Sequence, residues 1–442
     1  MIIADRIGRA VGGGTRRELT VGTAGTIAMN LTTTGLGFLI VLVLSRFLGA
    51  SGYGAYAFAL AWALFLSSVA GLGLSPLIVR EVARAKSDGR WATLRGVLRW
   101  SSTAVLVASA LLVCVAATIG AAFLDEELLG PYLVGLLLVL PNALTMVRQS
   151  SMQGLGRVVL ARAPETLVAP LIFLVLVLAV GLAAEDELTA GRALGLQLLG
   201  ALVAFAVGVA LLARTVPPEA RRVSPVSDHV AWRRSAVVLF LLGVLLAAQG
   251  QIGTILLGAM SDPVDTGIFA VALRISLLVG FVSIAANYAL MPVAARLFSS
   301  GDIARLAATV TRSARVLFLC SASIAVVLLI LSDFAMRLFG DDFGSGKDAL
   351  RILIAGEIAR ASLGLGGLSL VMTGHEADLA RGVFAGLVVY VTLAVGLIPQ
   401  YGVEGAAAAA ATGTVSSSLV LALLARRRLG FSGTVFSFSP RP

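Results

Sequence analysis

Charge is scarce in this chain: of 442 residues only 13% are Asp, Glu, Lys or Arg, against about 25% in an ordinary soluble protein. Cysteine and histidine number two each, and the only lysines among the basic residues are Lys86 and Lys347. Two isolated cysteines, Cys114 and Cys320, exclude a disulfide scaffold or a thiolate metal cluster; set inside apolar runs, they are expected to behave as small buried hydrophobes. His375-Glu376 has Leu379 where a zinc protease needs its second histidine, and His229 is far along the chain. No metal or cofactor site is expected.

What the chain has instead is apolar surface. Hydrophobic residues make up 58% and the 48 glycines bring the apolar share to about 69%, where a soluble domain holds roughly 45–50%. The apolar residues come in runs of about 20, the length that carries a helix across a bilayer. Spans are expected near 21–45, 55–79, 101–123, 132–155, 166–184, 192–213, 235–258, 266–294, 314–332, 349–372, 382–399 and 404–425. The expected fold is therefore an all-α polytopic membrane protein of about 12 transmembrane helices.

The basic residues order these spans. With the N-terminus inside, 26 of the 34 Lys and Arg fall in cytoplasmic segments, five in outer loops and three inside spans. An imbalance that alternates loop by loop is what the positive-inside rule demands. Acidic runs such as 125–127, 185–187 and 341–342 mark the outer loops, so both termini are expected in the cytoplasm. Such scattered charge is not a nucleic-acid surface. Val21 to Leu44 is too long for a cleaved signal core and reads as a retained first helix.

The chain also repeats itself. Residues 46–99 and 259–312 share a pattern at a shift of 213: Gly54, Tyr56, Ala57 and Ala59 match Gly267, Phe269, Ala270 and Ala272. Six spans per half keep both halves in one orientation, giving two lobes related by a parallel pseudo-two-fold with a site at their interface. The division is then an N-terminal segment 1–20, an N-lobe 21–213, a cytoplasmic linker 214–234 with Pro217, Pro218 and Pro225, a C-lobe 235–425 and a tail 426–442.

Catalytic and nucleotide motifs are missing. Gly344-Ser345-Gly346-Lys347 lacks the first glycine and the Ser/Thr of a phosphate loop, and Asn30-Leu31-Thr32 lies inside the first span, out of reach of glycosylation. The chain does not read as an enzyme.

Ionisable groups at mid-bilayer cost roughly 2.5–3.5 kcal/mol each on insertion scales, so those retained point to function. Four qualify: Arg148, Arg274, Glu357 and Arg360. Arg274 is the leading cavity residue. Arg148 is either a cavity residue or one that snorkels to the surface. Glu357 and Arg360 stand one helical turn apart and either neutralise each other or serve in ligand or proton-relay roles. Asn30, Gln249 and Gln251 place polar groups at mid-depth in the first and seventh spans, the matching helices of the two lobes; Pro141-Asn142 and Asn287 add to them. Three Arg against one Glu make a cationic interior, suited to an anionic head group such as a phosphate.

The segment Ser45-Arg46-Phe47-Leu48-Gly49-Ala50-Ser51-Gly52-Tyr53-Gly54-Ala55-Tyr56, with Gly71-Leu72-Gly73-Leu74 and Leu77 to Arg84, resembles the N-terminal signature of the polysaccharide biosynthesis (Wzx-type) oligosaccharide flippases of the multidrug/oligosaccharidyl-lipid/polysaccharide superfamily. Val371 to Glu376 and Gly402 to Ala407 resemble that family's C-terminal half. The resemblance implies alternating access in a bacterial cytoplasmic membrane, moving an undecaprenyl-pyrophosphate-linked oligosaccharide from the inner to the outer leaflet, with membrane lipids around it and glycan polymerases or glycosyltransferases as partners. Arg274, Arg360 and Arg148 would then meet the pyrophosphate, and Asn30, Gln249 and Gln251 would line the sugar path. Glu357 would be the candidate for ion coupling, and Arg46 and Arg80 would set topology or gating. Two rivals stand beside this reading: a multidrug/cation antiporter on the same fold, which needs cavity acids, and a membrane-embedded glycan polymerase or ligase, which needs a larger outer loop than 333–348. A scaffold that only recruits glycan enzymes is a third.

Overall fold

The computed structural model describes residues 13–183, 188–226 and 229–436. The acidic run 185–187 and Arg6, Arg9 and Arg441 lie outside them, as do the side chains of Asn30, Asn287 and His229. The described residues are almost entirely helical and contain no strand.

Helix α1 (Gly13–Ala70) is two spans in one, because Gly49 adopts φ 64° and ψ −176° and breaks it; glycine tolerates that conformation without a Cβ penalty. The arms fold back on each other, so Gly37, Ile40 and Leu44 of the first line the same cavity as Tyr53, Tyr56 and Leu60 of the second. At the far end of the chain α16 (Glu376–Leu429) does the same at Gly402, with φ 51° and ψ −122°: a Cβ on Gly405 would lie 3.1 Å from the Ile398 amide nitrogen, contact that only a reversal allows. Between them run α2 (Ser75–Ser87), α3 (Trp91–Phe123), α4 (Glu126–Leu136), α5 (Val139–Gly154), α6 (Val158–Ala163), a π turn (Pro164–Val168), α7 (Ala169–Ala183) and α8 (Ala190–Thr215). The second half continues with α9 (Pro218–Arg222), α10 (His229–Met260), α11 (Pro263–Ser299), α12 (Ile303–Ile330), α13 (Ser332–Arg337), a 3-10 turn (Asp341–Gly346), α14 (Lys347–Ser362) and α15 (Gly366–Met372).

Among the described residues nine helices are long and apolar enough to cross a bilayer, and the pair 341–362 and 366–372, bent by 49°, passes the same test together. Two of the nine are the hairpins α1 and α16, which brings the crossings to twelve, as the sequence pattern requires. Leucines and valines such as Leu111, Val175 and Leu319 face outward, as they must where the solvent is lipid. Cys114 and Cys320 face outward too, against the expectation of burial: the helix packing is carried by glycine and alanine, and the thiols point to the lipid side.

Two span boundaries differ from the hydropathy reading for stereochemical reasons. The second span stops at Ala70, since Leu72 and Gly73 take φ 52° and 62° and Pro76 starts a separate amphipathic helix, α2. The fifth starts eight residues earlier than the apolar run, at Val158, and carries Glu165 into the bundle on the π turn. Between α8 and α10 the chain is docked where it is described, with Arg95 donating to the carbonyls of Arg221 and Val223.

The repeat is visible in space. Spans two and eight, in α1 and α11, cross so closely that a Cβ on Gly54 would strike the Pro263 carbonyl, while a Cβ on Gly267 would strike the Ala50 carbonyl. Adding 213 to 50 and 54 gives 263 and 267, so these two contacts are symmetry mates about a pseudo-two-fold axis passing between the glycines. This crossing joins the lobes at the end of the bundle where the acidic loops lie.

Candidate functional site

Beneath that crossing lies a cavity of about 370 Å³ lined by α1, the fourth span from its break at Leu138 onward, the π turn and α7, α8 and α11. Each local irregularity serves it. Pro141 cannot donate to the carbonyl four residues back, and the fourth span is broken at Leu137–Leu138, where Leu138 lines the cavity with Asn142 and Thr145 one and two turns on. The π turn, a form that concentrates at functional sites, brings Glu165 to the wall. Tyr53 and Tyr56, one turn apart, stack with ring centroids 5.9 Å apart, and the Tyr56 hydroxyl donates to Gln197 Oε1 at 2.8 Å.

Arg274, eleven residues into α11 and so roughly 16 Å from its start, reaches across the lobe interface into this cavity. Its guanidinium lies over Gly37, in the space that a side chain there would fill. Among the described residues it makes no hydrogen bond and no ion pair. Its repeat counterpart, 213 residues earlier, is Ala61, so the charge breaks the symmetry of the two lobes.

Arg148 does not line the cavity and does not snorkel. Its side chain is 2% exposed and its Nη2 sits 2.5 Å from the Glu165 carboxylate and 3.0 Å from the Ala161 carbonyl; Gln149 donates to the same carboxylate at 3.0 Å. Glu165 is thus an intramembrane acid, so Glu357 is not alone, and the interior charge falls from +2 to +1. The hydropathy reading placed Glu165 in a loop because Arg157, Arg162 and Pro164 precede it; its signal was Arg148, which needed a buried counter-ion. Removing one partner of such a pair costs about 3–5 kcal/mol. Glu165→Ala is therefore expected to lower the thermal stability of the purified protein sharply, and Arg148→Met together with Glu165→Leu to restore most of it, as read by a melting curve in detergent.

Glu357 and Arg360 pair on one face of α14 at 2.6 Å, packed against Gly280 of α11. Arg360 opens on a second, smaller cavity of about 170 Å³ in the C-lobe, at the bend of the tenth span. The structure thus separates Arg274 from Arg360. Gln249 and Gln251 are half-buried on α10; two residues apart, they point about 200° from each other, and neither lines the main cavity. The first span lines that cavity, but its repeat mate, the seventh, does not. Arg46 donates to the Leu338 carbonyl at 3.0 Å, beside the Ser45 hydroxyl on Phe339 O at 2.9 Å, and so belongs to the closure between lobes at the acidic end. Arg80 is on the surface, paired with Glu81 at 3.1 Å. Tyr53, Tyr56, Gln197, Thr145 and Glu165 complete the site; Gln197, isolated in an apolar run, was the most legible of them.

The polysaccharide biosynthesis protein family matches residues 19–298 and the MatE family residues 239–395. No curated protein sequence matches the chain. Among solved structures, an inward-facing multidrug resistance MATE transporter of the MOP superfamily superposes with a TM-score of 0.73 at 14% identity, covering 91% of this chain and 98% of its own. The lipid II flippase MurJ in an inward closed conformation gives 0.73 at 13%, covering 90% and 86%. An outward-facing MATE transporter gives 0.64 at 15%, covering 92% and 95%. At such identities the likeness shows the fold, which is that of the MOP superfamily. With more than half its length matched, the chain belongs to the polysaccharide biosynthesis protein family.

Proposed function

We propose that the protein flips an undecaprenyl-pyrophosphate-linked oligosaccharide across a bacterial cytoplasmic membrane by alternating access, with the basic loops and both termini inside and the lobes divided at the linker 214–234. One observation carries this reading: of the three described intramembrane cations, Arg148 and Arg360 have internal counter-ions and Arg274 has none, in a cavity furnished with hydroxyl and amide groups. A half-buried guanidinium with no counter-ion is satisfied by an anion whose oxygens it can fork onto. Pyrophosphate is that chemistry, while Asn142, Thr145, Tyr56 and Gln197 supply neutral donors and acceptors for the sugar next to it. The closed acidic end and the better superposition on inward conformations support a state that awaits cargo from the inside, for hand-over to glycan polymerases or glycosyltransferases.

Glu165 supports a second reading, a cation or drug antiporter. The carboxylate lines the cavity, but its charge is already taken up by Arg148. The two readings part in a binding assay on the purified protein: radiolabelled undecaprenyl pyrophosphate is expected to bind saturably and to be competed by inorganic pyrophosphate. Saturable binding of ethidium with no binding of the lipid would favour the antiporter.

A further inference from the structure

At the basic end of the C-lobe the chain folds back on itself. Helix α16 ends at Gly430, left-handed at φ 77°, and the next residues run against the break in the tenth span. There Gly364 takes φ 77° and the helical hydrogen-bond ladder is interrupted between α14 and α15. An interrupted ladder inside a bilayer must find partners elsewhere in the protein. Residues 431–435 supply them: Leu365 N donates to Gly433 O at 3.3 Å, and Val435 N donates to Ser362 O at 3.1 Å. Arg315 of α12 donates its Nε to Val435 O at 3.1 Å, and Phe431 is buried in a small apolar cluster with Ala294, Val310, Ala314 and Leu365.

The same break is the wall of the C-lobe cavity that holds Arg360: Gly364, Leu365, Ala314 and Leu317 line it. The segment behind that wall therefore ties α11, α12 and both halves of the tenth span together at one point. We infer that residues 431–435 are a conformational strap, which holds the tenth span bent and keeps the Arg360 cavity shut toward the basic side until it is released. The inference stands on the C-lobe geometry and does not depend on the cargo.

The test uses the full chain in native membrane vesicles, with Cys114 and Cys320 replaced by alanine and a single cysteine at Ala361→Cys, on the cavity wall. A membrane-impermeant maleimide is supplied on the basic side. Ending the chain after Gly430 is expected to raise the labelling rate at least ~10-fold. Gly433→Val, whose Cβ would meet Val310 Cγ1 at 2.9 Å and whose φ of 63° disfavours a branched residue, should do the same in an otherwise complete chain and covers the case in which the truncated protein fails to fold. An unchanged rate in either variant, at a melting temperature near that of the parent, would overturn the strap.

Discussion

Arg274→Ala is expected to reduce export of lipid-linked glycan at least ~100-fold while leaving the protein at its normal level in the membrane. Charge-assisted hydrogen bonds are worth about 1.5–3 kcal/mol each, so losing a two-point grip on a phosphate removes about 3 kcal/mol or more, and each 1.4 kcal/mol is a factor of ten. The fold should not suffer, because Arg274 contributes no described hydrogen bond or ion pair and its removal relieves an uncompensated charge. Arg274→Lys keeps the charge but loses the planar fork, and an intermediate loss is expected. Surface glycan measured at equal protein abundance checks both variants. Normal glycan in Arg274→Ala would remove the pyrophosphate grip.

The second large effect is expected at the crossing of spans two and eight. Gly54→Ala places a methyl group on the Pro263 carbonyl and Gly267→Ala places one on the Ala50 carbonyl; both obstacles are backbone and cannot rotate away. Overpacking of this kind costs about 1–3 kcal/mol. If the protein works by the proposed alternating access, only the state closed at the acidic end bears it, since opening that end would separate the two helices. The penalty therefore shifts the conformational balance toward opening by about fivefold to a hundredfold. A cysteine at Leu44, on the cavity wall, should become reactive to an impermeant reagent added from the acidic side, and transport should fall as the state closed at that end is depopulated. The pseudo-two-fold makes a sharper demand: the two substitutions should produce effects of similar size, because they strike equivalent carbonyls. A large effect from one and none from the other would contradict the symmetry of the crossing.

The twelve crossings were legible in the sequence because hydropathy and the alternation of basic loops report the same physical constraint, the cost of charge in lipid. So was the repeat, whose Gly54 and Gly267 turned out to be the lobe contact itself. Arg274 was legible for the same reason as the spans, as a charge too deep to escape. What stayed hidden depends on local backbone geometry. A window over residues 158–165 sees Arg162, Pro164 and Glu165 and reads a loop, and nothing in it reveals that a π turn and the buried Arg148 bring Glu165 to the cavity wall. Gln249 and Gln251 were polar at the right depth, but depth does not fix azimuth, and the seventh span turns both away from the main cavity. Tyr53 and Tyr56 sit in an apolar helix, where aromatic residues are ordinary core; only the hydrogen bond to Gln197 distinguishes them.

The charge that the main cavity accepts separates a lipid pyrophosphate carrier from a cation antiporter. Native mass spectrometry of the detergent-released protein, offered equal concentrations of undecaprenyl pyrophosphate and ethidium, reads this directly. The expected result is a lipid adduct on the wild type that disappears in Arg274→Ala. Ethidium retained in place of the lipid, with its binding abolished by Glu165→Gln and untouched by Arg274→Ala, would show that the cavity is built for a cation.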